Sequence, residues 1–149
     1  MQLTLHTDYA LRVLIYLTQK RDDLATISEI ADFYKISRNH LVKVVHHLSI
    51  SEYIQTTRGK HGGIKLAREP DQISIGDVVR EMEPNFNLVE CFNEAPPGCM
   101  VSSVCALKSV LKQASIEFLG VLDGFTLAEA IEQSEKTAQL FPLEQMLKH

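Results

Sequence analysis

The 149-residue sequence lacks an apolar run long enough to cross a bilayer: its one long stretch, Tyr9 to Leu17, is broken by Arg12. The amino terminus, Met1-Gln2-Leu3-Thr4, has neither the basic segment nor the small-residue cleavage site of a secretory signal. A soluble, cytoplasmic protein with no membrane partner is expected. Cysteine is scarce, three in all. An odd number in a chain with no export signal argues against a disulfide framework and leaves reduced thiols or metal ligands. Also missing are a His-x-x-His pair and any nucleophile-and-base arrangement. His46 and His47 are neighbours on an expected helix, so they cannot face one site together. A metal-dependent enzyme is therefore disfavoured, and the chain reads as regulatory.

What is present is a strong charge asymmetry within a formal net charge of -4. Residues 1 to 68 hold ten Lys and Arg against six Asp and Glu, a net +4, whereas residues 69 to 149 hold five against thirteen, a net -8. Five of the six histidines lie in the front half. A basic face suited to phosphates is thus joined to an acidic regulatory or dimerising half.

Helical spacing of Leu5, Tyr9, Val13, Leu14 and Leu17 predicts a first helix over 5–19, with Asp8, Arg12 and Gln19 off the stripe. Thr26 followed by Glu29 is a capping box that starts a short helix, Ile27 to Tyr34. After Lys35-Ile36-Ser37, with Ser37 a second candidate cap, Leu41, Val44, Val45 and Leu48 mark a third helix. Two short helices so tightly joined read as helix-turn-helix. In that motif the second helix enters the major groove, which nominates Ser37, Arg38, Asn39, His40 and Lys43, together with Thr26 and Ser28 from the preceding helix, as DNA contacts. Arg pairs with guanine and Asn with adenine, while Ser and Lys more often hold phosphate. Residues Tyr53 to Leu66 then read as a hairpin, a wing whose tip carries Arg58, Lys60, His61 and Gly62.

Ser74 and Asp77 start a fourth helix, Ile75 to Met82, ended by Glu83-Pro84. All three cysteines, Cys91, Cys99 and Cys105, follow within fifteen residues, spaced Cys-x7-Cys-x5-Cys. Cys105 is expected about one turn into a helix capped near Ser102 or Ser103, where amide groups and the helix dipole favour a thiolate. Zinc usually takes tighter Cys pairs and a nearby fourth ligand. An iron-sulfur cluster takes four ligands, so three cysteines leave one iron to another residue, solvent or a second subunit; free thiols are the remaining alternative. Val104, Leu107, Leu111, Ala114, Phe118, Val121 and Leu122 trace a helix of about twenty residues ending at Asp123-Gly124, a length that suits packing on a symmetry mate. A capping box from Thr126 to Glu129 opens a last helix, and Pro142 interrupts the tail. The fold expected is mainly α with a small β-hairpin wing. It comprises a winged helix-turn-helix domain over 1–82, a cysteine-bearing loop over 83–101, and a dimerisation helix with C-terminal helix and tail over 102–149.

Taken in order, Leu3-Thr-Leu-His-Thr-Asp-Tyr-Ala-Leu-Arg12, the Gly59-x-x-Gly-Gly-x-x-Leu66 wing, Ile75-Gly-Asp-Val-Val79 and the cysteine triplet resemble the NsrR/IscR family of winged-helix iron-sulfur regulators over nearly the whole chain. The resemblance is strongest to its nitric-oxide-responsive branch. It implies a homodimer that binds a palindromic double-stranded DNA operator through the third helix and wing, represses nitric oxide detoxification genes, and lets go when nitric oxide reaches its cluster. It also implies a 4Fe-4S cluster on Cys91, Cys99 and Cys105, with Asp8 of the partner subunit as fourth ligand. Asp8 equally reads as a first-turn acid or an i, i+4 partner for Arg12. The 2Fe-2S branch resembles this chain but places a histidine three residues past the third cysteine, where this sequence has Lys108. The resemblance still allows a 2Fe-2S form by oxidative decay, and the alternatives are an IscR-like 2Fe-2S regulator or a cluster-free thiol sensor. The seven-residue first gap leaves the cage geometry open.

Overall fold

Apolar residues at i, i+3, i+4 and i+7 organise the first helix, α1 (Leu5–Lys20), of this computed structural model, which describes residues 2–20, 23–92 and 104–140. Ala10, Val13, Leu14 and Leu17 are buried and form the seam on which the other elements rest. The buried face is rotated from the expected stripe. Leu5 is 58% exposed and Tyr9 half-buried, whereas Thr7 and Tyr16 are buried. Leu5 belongs to a first turn that precedes the core, and Thr7 tolerates burial because its hydroxyl donates to the Glu83 carboxylate.

The expected cap starts α2 (Ile27–Tyr34): the Glu29 amide donates to Thr26 Oγ1 at 3.1 Å and Glu29 Oε2 accepts from the Thr26 amide at 3.4 Å. Glu29 does more than cap. It accepts from Tyr16 Oη at 2.7 Å and pairs with Lys20 Nζ at 2.5 Å, which fastens α2 to α1. Lys35 ends α2 in the left-handed conformation, and α3 (Arg38–Ile50) begins three residues later with Leu41, Val44, Val45 and Leu48 buried, as the pattern predicts. Ser37 occupies the cap position, but its side chain makes no capping bond.

The hairpin pairs β1 (Ile54–Thr57) with β2 (Gly63–Leu66), with Ile54 opposite Leu66 and Thr57 opposite Gly63. A bridge that sequence reasoning missed docks it on the helices: Ala25 and Ile64 exchange backbone hydrogen bonds of 3.0 and 2.8 Å. Ile64 is buried in the core beside Ile54 and Tyr53.

Ser74 caps α4 (Ile75–Met82) through the Asp77 amide, again as expected. The last two helices are α5 (Ala106–Asp123) and α6 (Leu127–Leu140), and Thr126 and Glu129 form the predicted box, with Glu129 accepting from the Thr126 amide at 2.8 Å. Long-range contacts close this half. Phe125 O accepts from the Ile75 amide at 3.0 Å, Ile73 O accepts from the Leu127 amide at 2.9 Å, and Arg80 forks onto both carboxylate oxygens of Asp123. Leu127 is buried with Ile73 in the main core.

Gly76 is where α4 meets the end of α5: a Cβ there would overlap the Asp123 carboxylate and lie 2.9 Å from its backbone nitrogen. Gly76→Ala should therefore cost about 1–3 kcal/mol, read as a lower urea midpoint at unchanged slope. Lys20 and then Tyr16, both donating to Glu29, hold its carboxyl below the usual range. A depressed carboxylate contributes stability that is present above its ordinary pKa and is lost as pH falls through the depressed value. The melting temperature should thus drop below about pH 4, and Glu29→Gln should flatten that drop in a thermal melt series.

Candidate nucleic-acid interface and cysteine segment

Burial of Leu41, Val44, Val45 and Leu48 turns the other side of α3 outward. Arg38, Asn39, His40 and Lys43 are exposed on it, as the sequence predicts, and so are Val42 and His46, which the reading passed over. The signal for those two was available: with Asn39 and Lys43 they occupy i, i+3, i+4 and i+7 of one stripe. Ser37 is exposed at the start of the helix. Ser28 sits across the turn, with its Oγ accepting from Arg38 Nε at 3.2 Å. Thr26 is exposed, with its hydroxyl oxygen engaged by the cap.

Arg58, Lys60 and His61 are exposed on the wing tip. Gly62 has a structural reason of its own, because a Cβ there would collide with the carbonyl oxygen of Thr57, and its amide closes the turn onto Gly59 O at 3.0 Å. Cationic and imidazole side chains therefore surround a tight backbone tip.

Beside α3, Leu5, His6, Tyr9, His40, Lys43 and Val44 line a groove of about 240 Å³. His6 Nε2 lies 3.0 Å from His47 Nδ1, and His47 Nε2 lies 3.6 Å from Glu81, which also accepts from Ser51 Oγ at 2.8 Å. Burial, then repulsion from His47, lowers the His6 pKa against the pull of Glu83. This polar chain joins α1, α3 and α4.

Cys91 is half-buried in a single turn, Glu90–Phe92, and Cys105 is half-buried; both are free thiols. The helix starts later than predicted, since Cys105 has extended backbone and stands as the N-cap of α5 rather than a turn inside it. Its side chain makes no capping bond. Cys99, and with it Ser102 and Ser103, lies outside the described residues, as does Pro142. Among the described residues no three metal-ligating side chains are gathered together. Asp8 is engaged within its own helix: Arg12 Nε donates to Oδ1 at 3.1 Å and Arg12 Nη2 pairs with Oδ2 at 2.9 Å. Finally, α5 buries none of its side chains, and Leu107, Val110 and Val121 are more than 60% exposed.

Residues 3–133 match the Rrf2 model, described as an iron-dependent transcriptional regulator. The chain is 44% identical over 146 residues to the HTH-type transcriptional regulator NsrR of Bacillus subtilis, covering 97% of this chain and 100% of that one. It is 47% identical over 141 residues to the regulator of the same name from Bacillus licheniformis, covering 94% and 99%. Among solved structures, IscR of T. potens superposes with a TM-score of 0.74 at 23% identity, over 92% of this chain and 90% of that one. CymR, the global cysteine regulator of B. subtilis, gives 0.67 at 23%, over 89% and 98%. At that identity the two structures speak to the fold, which is the winged helix expected from the sequence. Helix-turn-helix, wing and near full-length matches converge on one conclusion: the chain belongs to the Rrf2 family of iron-dependent transcriptional regulators.

Proposed function

We propose that the chain is a homodimeric repressor that grips a palindromic operator with α3 and the wing, carries a 4Fe-4S cluster, and lets go of DNA in response to nitric oxide. The observation that carries this reading is Cys105, a free thiol at the N-cap of α5 with no capping bond to occupy it. That thiol stands at the start of the helix whose apolar face is uncovered in the single chain. Ligand and dimer helix are thereby one element. The NsrR name of the relatives supports the same signal for this chain.

Cys91, Cys99 and Cys105 would hold the cluster, with Asp8 of the partner subunit as the fourth ligand. When bound, the cluster supplies iron able to react with nitric oxide. To serve, Asp8 would use the lone pairs that its bonds to Arg12 leave open, or exchange Arg12 for iron. A second copy covering Leu107, Val110 and Val121 would fix the separation of the two α3 helices, and with it the half-site spacing.

Protein purified without oxygen should be brown, with about four irons per chain, and should bleach stepwise under nitric oxide; Cys105→Ser should lose both colour and iron. Colourless, iron-free protein would leave the winged helix standing and move the sensing role to the thiols themselves. On DNA, Lys60→Ala should weaken binding to every duplex and lower the salt slope by about one. Arg38→Ala should cost about 1–3 kcal/mol on the operator and relax base preference at one position, as read by competition binding.

A further inference from the structure

We propose that Ser28 is a positioning residue for operator reading, one that fixes the Arg38 guanidinium through Nε and presents its two terminal nitrogens as the base-reading fork. The proposal rests on the reading of Arg38 as a base contact. Its observation is the 3.2 Å hydrogen bond from Arg38 Nε to Ser28 Oγ, the side-chain tie that crosses the turn between α2 and α3.

Both ends of this tie are held. Ser28 is the second residue of α2, between Thr26, which caps the helix, and Glu29, which is fastened to Tyr16 and Lys20. Arg38 is the first residue of α3, the part of a recognition helix that meets base edges. Among the described residues no carboxylate pairs with Arg38, although Asp8, Glu29 and Asp123 each hold a cation elsewhere. An arginine can meet the O6 and N7 acceptors of guanine with either its side edge, Nε and one Nη, or its end, both Nη atoms. With Nε donated to Ser28, the end-on fork remains. The long side chain is also ordered before DNA arrives, so less rotamer freedom is lost on binding.

Chemistry separates this role from a direct one. A Ser hydroxyl holding phosphate adds affinity on any duplex, whereas a hydroxyl holding Arg38 acts at the base pair that Arg38 reads. The experiment uses the full chain and the duplex that the wild-type protein recovers from a random pool, together with every single-base-pair variant of it, in competition binding. Ser28→Ala should lose about three- to tenfold of discrimination at one position, the same position at which Arg38→Ala loses it, with binding to random duplex unchanged. Ser28→Thr, which keeps the hydroxyl, should restore most of the discrimination. The double variant should be no worse than Arg38→Ala alone, because the two side chains act as one unit. Both residues are exposed, so an unchanged melting temperature checks the fold. Equal weakening on all duplexes would overturn the proposal in favour of a phosphate contact, and so would no change, or loss at a position other than that of Arg38. If Arg38→Ala itself leaves discrimination intact, the base-reading role of Arg38 fails first, and the two failures are told apart by that variant.

Discussion

The helix-turn-helix, the hairpin and α4 are set against one buried strip on α1. Ala10, Val13, Leu14 and Leu17 are inaccessible to solvent, and α3, α4, α6 and the second hairpin strand all lean on that helix. Burial of each larger side chain contributes about 1.5–3 kcal/mol to the packing of α3, α4 and the hairpin on α1. Both α3 and α4 are thus positioned through the same helix, α1.

Polar side chains around α1 then fix what apolar packing leaves free. Glu83 takes hydrogen bonds from Thr4 and Thr7, Glu29 gathers Thr26, Tyr16 and Lys20, and the His6, His47, Glu81 chain spans three helices. Hydrophobic contact alone permits neighbouring rotations of a helix; directional bonds at both ends of α1 select one. Asp8 and Arg12 lie on the outer side of the same helix and are satisfied by each other.

What was legible in the sequence was local. Capping pairs at Thr26 and Glu29, Ser74 and Asp77, and Thr126 and Glu129 are three-residue signals, and each starts a helix where predicted. The α3 stripe and the glycine-rich hairpin were equally readable. Features made by chain segments far apart were not: the Ala25 bridge to Ile64, the Arg80 fork on Asp123, the demand for glycine at 76, and the rotation of α1 that exposes Leu5. The start of α5 slipped for a related reason, since two serines offered a cap earlier in sequence and the backbone turns helical only after Cys105. At the candidate site, the side chains nominated on α3 and at the wing tip are exposed, a consequence of the apolar stripe on α3 and the glycines of the hairpin, whereas the tie between Ser28 and Arg38 needed the turn geometry to become visible.

The two backbone bonds that sew Ile73 and Ile75 to Leu127 and Phe125, with the Arg80 fork beside them, clamp one end of α5 to the core. Eighteen residues of helix extend from that clamp, a rod of about 27 Å at 1.5 Å per residue. Cys105 stands at the far tip. The clamped end at Asp123 and the thiol at Cys105 are thus separated by the whole length of one helix.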